Sequence, residues 1–341
     1  MIQNIFIAHT PFHIFIAEMI VKNILRRSKY ENVIFLELSR DYKHVDRDLW
    51  SKIEYLENVG KSTLGRKQYL MSEKNMEFIK QYVNKDMETH LFMSDISWPM
   101  NNRIFFDKHM RSSVKYCLFS DGLGTYASPK VTKVLLVRGL AKSINGLLHR
   151  GVRYKNYMGD QIGIDRKEIE YVYAPNVRLA NCKPSKKKEV SFDSTHGEVK
   201  FNKEKCLFLD QPFWLHMQDS KWHAITEMAT KFIKSMDVKE FYYKNHHFRR
   251  EVEENYFESQ GFSMINSDKC AEQIVAENDF GTVVSYHSAA LFNLKCMYHD
   301  ELRCISLFSK RMSVANGYND DTSDEIFDLF NKVNVEVVKL P

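Results

Sequence analysis

Short apolar segments typical of buried strands alternate with helical segments along the first half of the chain. The first apolar segment covers residues 4–10, and Thr10 and Pro11 then provide the N-cap and first position of a helix. Further strand-like segments follow at 33–36, 90–93, 114–119 and 169–173. Because strands that alternate with helices form parallel sheets, this half is predicted to be an α/β domain.

A second alternation of the same kind follows a polar stretch. Residues 181–203 are rich in charged and turn-forming residues, which predicts a linker. After it, strand-like segments lie at 206–209, 240–243, 281–285 and 303–307. The sequence therefore predicts two Rossmann-like parallel-sheet domains, 1–180 and 204–341, that face a central cleft. Ligands of such sheets bind beyond the carboxyl ends of the strands.

Composition narrows the classes of function. Apolar runs are shorter than the ~18 residues of a membrane span, and residues 1–4 lack the features of a signal peptide, so the predicted location is the cytoplasm. The six cysteines form no C-x-x-C pair, which indicates reduced thiols. A net charge of +5 favours anionic partners, but the dense basic tracts of nucleic-acid binders are missing.

One stretch of the chain is positively charged throughout. Between Asp121 and Asp160 there is no acidic residue, whereas seven basic residues lie there: Lys130, Lys133, Arg138, Lys142, Arg150, Arg153 and Lys155. The stretch is either a solvated helix face or a contact for anionic lipid headgroups or an acidic glycan. The second reading predicts peripheral contact with the inner face of a membrane.

Three polar signatures follow predicted strands, at residues 120–122, 244–247 and 285–288. Asp121 is either a general base or an aspartate that caps a turn or helix. His246 and His247 end a strand beside Lys244, and they form either a charged surface turn or a proton donor to an anionic leaving group. Ser288 is a natural N-cap for the next helix, whose N–H groups can also hold a phosphate.

This ordered set of motifs, together with residues 9–13 at the first strand end, resembles bacterial sialyltransferases of glycosyltransferase family 52, the lipooligosaccharide and capsule type, with kinship to bacterial polysialyltransferases. The resemblance implies a GT-B fold. It also implies inverting transfer of sialic acid from CMP-sialic acid to a terminal sugar of a cell-surface glycan, such as lipooligosaccharide, O-antigen or capsule. Neither a metal nor another cofactor is expected.

The resemblance also implies roles for individual residues. Asp121 would deprotonate the acceptor hydroxyl, His246 would protonate or hydrogen-bond the CMP phosphate, and Ser285 and Ser288 would bind that phosphate. Two positions depart from the family pattern: Ser120 replaces its first acidic residue, and His247 replaces its proline. Which of the two histidines faces the donor therefore stays open.

Further residues complete the candidate site. On the donor side these are Gln211, Pro212, Lys244 and His247, and on the acceptor side they are His13, Asp95, Asn102 and Arg103. No metal site is predicted, because the remaining histidines have no second ligand at a suitable spacing. Two alternatives remain: a transferase that uses another CMP- or CDP-linked donor, and a non-catalytic protein that binds anions or glycans.

Overall fold

The computed structural model describes residues 1–25, 29–38, 42–57, 66–192, 200–212, 218–246, 251–308 and 320–340. The chain divides into two compact units, Met1–Ser191 and Phe192–Pro341. This division falls within the predicted linker, residues 181–203. Part of that segment is ordered in the first unit, because Lys187–Glu189 form the last strand of its sheet.

The first unit is built on a parallel sheet of seven strands with the order β3-β2-β1-β4-β5-β6-β7. The strands are β1 (Ile2–Ala8), β2 (Tyr30–Leu36), β3 (Lys52–Tyr55), β4 (Glu88–Met93), β5 (Val114–Phe119), β6 (Ile169–Ala174) and β7 (Lys187–Glu189). The strand order reverses between β1 and β4. Parallel sheets of this kind bind ligands at such a switch point, beyond the strand carboxyl ends.

Helices connect these strands: α1 (Pro11–Asn23), α2 (Arg66–Tyr82), α3 (Pro99–Phe106), α4 (Lys108–Ser113), α5 (Gly124–Ala127) and α6 (Lys133–Leu148). The start of α1 is as predicted, because Pro11 is at its first position and the Thr10 hydroxyl accepts a hydrogen bond from the His13 N–H. The central strands are buried on both faces, which explains their continuous apolar sequence, such as residues 5–8.

The second unit repeats the architecture with a parallel sheet of six strands in the order β10-β9-β8-β11-β12-β13. Its strands are β8 (Asn202–Leu209), β9 (Glu240–Lys244), β10 (Ser263–Met264), β11 (Phe280–Ser285), β12 (Arg303–Phe308) and β13 (Glu336–Lys339). Its helices are α7 (Asp219–Lys234), α8 (Glu251–Ser259), α9 (Ala271–Glu277), α10 (Ala289–Tyr298) and α11 (Asp320–Lys332). The predicted pair of parallel sheets is confirmed.

Helix α6 packs on the first unit through two glycines. Gly139 and Gly146 are its buried residues, whereas its other described residues are exposed or half-buried. A Cβ atom added to Gly146 would lie 2.0 Å from the Val152 carbonyl oxygen, and one added to Gly139 would lie 2.0 Å from the Asn156 side-chain oxygen. The glycines therefore allow close approach of the helix to the segment that follows it.

We expect Gly146→Ala to destabilise the first unit by about 1–3 kcal/mol, because its methyl group would collide with a backbone carbonyl that cannot rotate away. Thermal unfolding followed by circular dichroism measures the effect. Ser143→Ala, at a half-buried position of the same helix, is the matched control and should change the melting temperature little. Equal melting temperatures for Gly146→Ala and the wild type would contradict this packing.

Candidate active site

The carboxyl ends of β1, β4 and β5 bring four ionisable side chains together in the first unit. His9 follows β1, Asp95 follows β4 and Asp121 follows β5, while His13 lies in the first turn of α1. The charge of Asp95 acts on both His9 and Asp121, and His13 hydrogen-bonds Asp121 directly. The group therefore lies at the switch point of the sheet, where ligands of this fold class bind.

Asp121 and His13 form the central pair of this group. The His13 Nε2 atom lies 2.9 Å from Asp121 Oδ1, and the Asp121 side chain is 35% exposed whereas that of His13 is 4% exposed. A tight turn supports the aspartate, because its N–H donates to Thr125 Oγ1 and Gly122 adopts a φ of 80°. Helix α5 begins without a side-chain cap, so Asp121 does not serve as a helix cap here.

The hydrogen bonds of His13 define which of its ring nitrogens carries the proton. Its Nδ1 atom accepts a hydrogen bond from the His9 backbone N–H at 3.2 Å, so Nδ1 is unprotonated. The proton of the neutral ring is therefore on Nε2, and it is donated to Asp121 Oδ1. This arrangement holds one carboxylate oxygen and leaves Oδ2 to react.

The pKa of Asp121 is raised above the ordinary aspartate value. Loss of hydration among the surrounding strand ends is the main cause, and the neighbouring negative charge of Asp95 adds to it, whereas the hydrogen bond from His13 opposes the shift. A carboxylate with a raised pKa is a better proton acceptor than a fully solvated one. The environment of Asp121 therefore suits a general base.

The surroundings of His9 favour its protonated form. Its Nδ1 atom lies 2.7 Å from Glu37 Oε2 and its Nε2 atom lies 3.3 Å from Asn101 Oδ1. Burial lowers the pKa of His9, but the hydrogen bond and charge of Glu37, with Asp95 and Asn101, outweigh it and raise the pKa above 6.5. An acceptor beside each ring nitrogen favours protonation of both nitrogens.

Three members of this cluster, His9, Glu37 and Trp98, were not selected from the sequence as site residues, although His9 belongs to the motif at residues 9–13. Glu37 follows β2, so its position after a strand was a usable signal. Trp98 stacks on His9 with ring centroids 5.4 Å apart and remains 43% exposed. An exposed indole beside a candidate base offers an apolar surface on which a sugar ring can pack.

The other residues predicted on the acceptor side have backbone or ion-pair partners. Asp95 Oδ1 accepts hydrogen bonds from Ser97 and from the Trp98 N–H, and it thereby fixes the turn before α3. The amide of Asn102 bonds Lys155 and the Ile96 carbonyl. Arg103 pairs with Asp107 at 3.6 Å. These contacts explain how the turn is held but give no support to direct acceptor binding.

In the second unit, the switch point lies between β8 and β11. Gln211 bridges the two strand ends, because its Nε2 donates to the His287 carbonyl and its Oε1 accepts from the His287 N–H, at 3.0 and 2.6 Å. Ser285 is buried and donates to the Leu209 carbonyl at 2.8 Å. Ser288 is the N-cap of α10, as predicted, and accepts from the Ala290 N–H.

His246 and Lys244 lie at the neighbouring end of β9. His246 is half-buried, and the Lys244 ammonium group donates to the Ser267 carbonyl at 2.8 Å. Pro212 is half-buried after Gln211. His247 lies outside the described residues. His287, in contrast, stays neutral, because burial lowers its pKa to about 4.

Two features are missing from the described part of the chain. It contains no group of three or more His, Cys, Asp or Glu side chains placed to hold a metal ion. It also contains no helix that is both long and apolar enough to cross a membrane. The expected metal independence and cytoplasmic location remain predictions.

Comparison with solved structures identifies the fold as GT-B. An α/β-galactoside α-2,3-sialyltransferase from Photobacterium phosphoreum aligns with a TM-score of 0.54 and 10% identity over 98% of both chains. The GT-B domain of a Photobacterium damselae sialyltransferase gives the same TM-score and identity over 99% of this chain and 100% of that one. A 2,6-sialyltransferase from Photobacterium sp. JT-ISH-224, in complex with CMP and lactose, aligns with a TM-score of 0.56 and 11% identity. The alignment covers 98% of this chain and 78% of that one.

At such low sequence identity, these structural matches show the fold alone. The family is shown by the sequence. The profile of the alpha-2,8-polysialyltransferase family matches residues 2–302, and the chain belongs to that family. The protein is therefore a sialyltransferase, which confirms the predicted enzyme class and its kinship to polysialyltransferases. No curated protein matches the chain. Assignment to glycosyltransferase family 52 remains a prediction.

Proposed function

We propose that this protein transfers sialic acid from CMP-sialic acid to a hydroxyl group of a cell-surface glycan, with inversion and with Asp121 as the general base. The observation that carries the proposal is the hydrogen bond from His13 to Asp121 at 2.9 Å, beside the switch point of the first sheet. The family supports sialic acid as the transferred group. The acceptor class, a terminal sugar of lipooligosaccharide, O-antigen or capsule, is part of the proposal.

On the acceptor side, the geometry of Asp121 suits removal of a proton from a hydroxyl group. Oδ1 is occupied by His13, so Oδ2 takes the proton as the acceptor oxygen attacks the anomeric carbon of sialic acid. Because the His13 ring keeps its own proton on Nε2, the histidine orients the carboxylate and does not compete for the acceptor proton. His13 is thus a positioning residue in this proposal.

On the donor side, the second unit supplies groups for the departing phosphate of CMP. The first N–H groups of α10 and the positive end of its dipole favour a phosphate. The Ser288 oxygen accepts from the Ala290 N–H, so its own hydroxyl proton can donate to a phosphate oxygen. His246 donates a further proton or hydrogen bond as negative charge develops on the leaving group.

The remaining donor-side residues act through the backbone in this proposal. The Ser285 hydroxyl donates a hydrogen bond to the Leu209 carbonyl. This contact fixes the strand end that precedes α10. Gln211 holds the His287 peptide from the adjacent strand. Both contacts order the turn that precedes Ser288. Pro212, Lys244 and His247 stay predicted neighbours of the donor.

We expect Asp121→Asn to lower the rate of transfer from CMP-sialic acid by about a hundred- to ten-thousand-fold, because the amide cannot take the acceptor proton. CMP binding should persist, because the phosphate-binding groups belong to the second unit. A transfer assay against a small panel of galactose- and sialic-acid-terminated acceptors measures the rate, and calorimetry with CMP measures binding.

Asp86→Asn, at an exposed loop position of the first unit, is the matched control and should keep wild-type activity. Transfer by Asp121→Asn within a few-fold of the wild type would exclude Asp121 as the base. If the wild type consumed another CMP- or CDP-linked donor but not CMP-sialic acid, the donor assignment would be wrong. Binding of glycans without turnover of any donor would favour the non-catalytic alternative.

His246→Ala should slow transfer or weaken CMP binding roughly tenfold or more, because the leaving phosphate loses a proton or hydrogen-bond donor. Titration with CMP and single-turnover transfer separate the two effects. His223→Ala, at an exposed position of α7, is the control and should match the wild type. Equal behaviour of the two variants would remove His246 from the donor site.

His13→Phe should move the acid limb of the kcat/KM profile to higher pH. The base is active when deprotonated, and loss of the His13 hydrogen bond raises the pKa of Asp121 further. His13→Gln keeps an N–H donor and should return the midpoint towards that of the wild type. A loss of activity at every pH, with no shift of the midpoint, would reduce His13 to a purely structural residue.

A further inference from the structure

Helix α6 carries an unusual concentration of exposed apolar side chains. Of the ten large apolar residues that are exposed in the described part of the chain, six belong to this one helix. They are between 49% and 69% exposed, and they are Val134, Val137, Leu140, Ile144, Leu147 and Leu148. Exposed apolar residues that occur singly need no explanation, but a continuous group indicates an interaction surface.

The six residues form a single face of the helix. Successive residues of an α-helix are about 100° apart, which places all six within an arc of about 140°. Gly139 and Gly146, through which α6 packs on the first unit, lie on the opposite side. We refer to the six residues as the apolar face of α6. Met158 is also exposed and lies near the start of the helix, because the Val131 N–H donates to the Gly159 carbonyl.

Basic residues surround the apolar face. Lys130, Lys133, Arg138, Arg150, Arg153 and Lys155 are exposed, and none of them forms an ion pair with the residues that the structure describes. No acidic residue lies between Asp121 and Asp160. Each of these cations is therefore available to a negatively charged surface.

We propose that α6 binds the surface of an anionic phospholipid bilayer. Its apolar face would enter the boundary between headgroups and acyl chains, and the surrounding lysines and arginines would contact the phosphate groups. The 16 residues of α6 include three basic ones, so the helix lies in the interface and does not span it.

This occupant explains more of the observations than the alternatives do. An acidic glycan would account for the cations but gives no reason to expose six aliphatic side chains. A second copy of the chain would cover the apolar face, but it would place two positively charged surfaces against each other. An anionic bilayer satisfies both features at once.

Lys142 of α6 lies near one residue of the candidate active site. Lys142 lies 4.9 Å from the centre of the Tyr154 ring, and it is close enough to Asp95 for the charge of that carboxylate to act on it. Bilayer binding on the outer side of α6 would therefore hold the Asp121 cluster near the membrane. Bilayer binding by α6 is independent of every step of the proposed reaction, and it can be tested without measuring sialic acid transfer.

The test compares two valines in the intact protein. Val137 on α6 and Val252 on α8 are both exposed helical residues, at 69% and 53%. We expect the wild type to sediment with vesicles of phosphatidylglycerol and phosphatidylethanolamine but not with phosphatidylcholine. Val137→Gln should weaken that binding roughly tenfold, as loss of one buried valine predicts, whereas Val252→Gln should not.

A charge variant tests the second feature. Arg150→Glu with Arg153→Glu should weaken binding to the anionic vesicles, and added salt should weaken wild-type binding. Lys203→Glu with Lys332→Glu, at exposed positions of the second unit, is the matched control. Transfer by Val137→Gln to a short acceptor in solution should equal that of the wild type, so loss of vesicle binding is distinguishable from loss of the proposed function.

Several results would overturn the proposal. One is failure of the wild type to bind anionic vesicles, and another is equal vesicle binding by Val137→Gln and Val252→Gln. A wild-type oligomer that Val137→Gln dissociates, without vesicle binding, would assign the apolar face to a second copy of the chain. Binding of oligosialic acid that Val137→Gln weakens, with vesicle binding unchanged, would assign the face to a glycan.

Discussion

The hydrogen bond between His13 and Asp121 depends on how the chain passes from β1 into α1. Thr10 caps the helix, and the same turn points the His9 N–H at His13 Nδ1. Because Nδ1 accepts that hydrogen bond, the ring proton of His13 is on Nε2. The Nε2–H group donates to the carboxylate of Asp121, which follows β5. One helix start thus sets the orientation of Asp121 and also affects its proton affinity, because the same hydrogen bond opposes the pKa rise that partial loss of hydration causes.

Much of the fold follows from local sequence patterns. The alternation of apolar strands and helices predicts two parallel sheets, and Thr10 and Ser288 were recognisable as caps because hydroxyl side chains satisfy the free N–H groups of a helix start. The pairings within the site were not recognisable. His13 and Asp121 are 108 residues apart, and His9 and Glu37 are 28 apart. Their contact results from strand order, which a local pattern does not encode.

A position after a strand also does not determine what a polar side chain contacts. Ser285 was selected at a strand end and Asn102 as a possible acceptor contact, yet both are buried and donate hydrogen bonds to backbone carbonyls. Buried polar groups require such partners, since an unpaired one costs about 1–3 kcal/mol. A buried residue of this kind holds the backbone of a site in place. Asp121, in contrast, has a side chain that is 35% exposed and can contact a substrate.

Helix α6 also shows that a local sequence pattern does not determine the contacts of a residue, here for apolar side chains. Apolar residues three or four apart normally predict the face that a helix buries, and its residues Val137, Leu140 and Ile144 have that spacing. Here the glycines bury the other face, because a backbone without Cβ atoms can approach the carbonyl of Val152 more closely than any side chain allows. Close backbone contact therefore decides which side of α6 is left for solvent or a partner. An aliphatic face that fails to enter the core remains costly in water, and the lysines and arginines around it specify the charge of the surface that can relieve that cost.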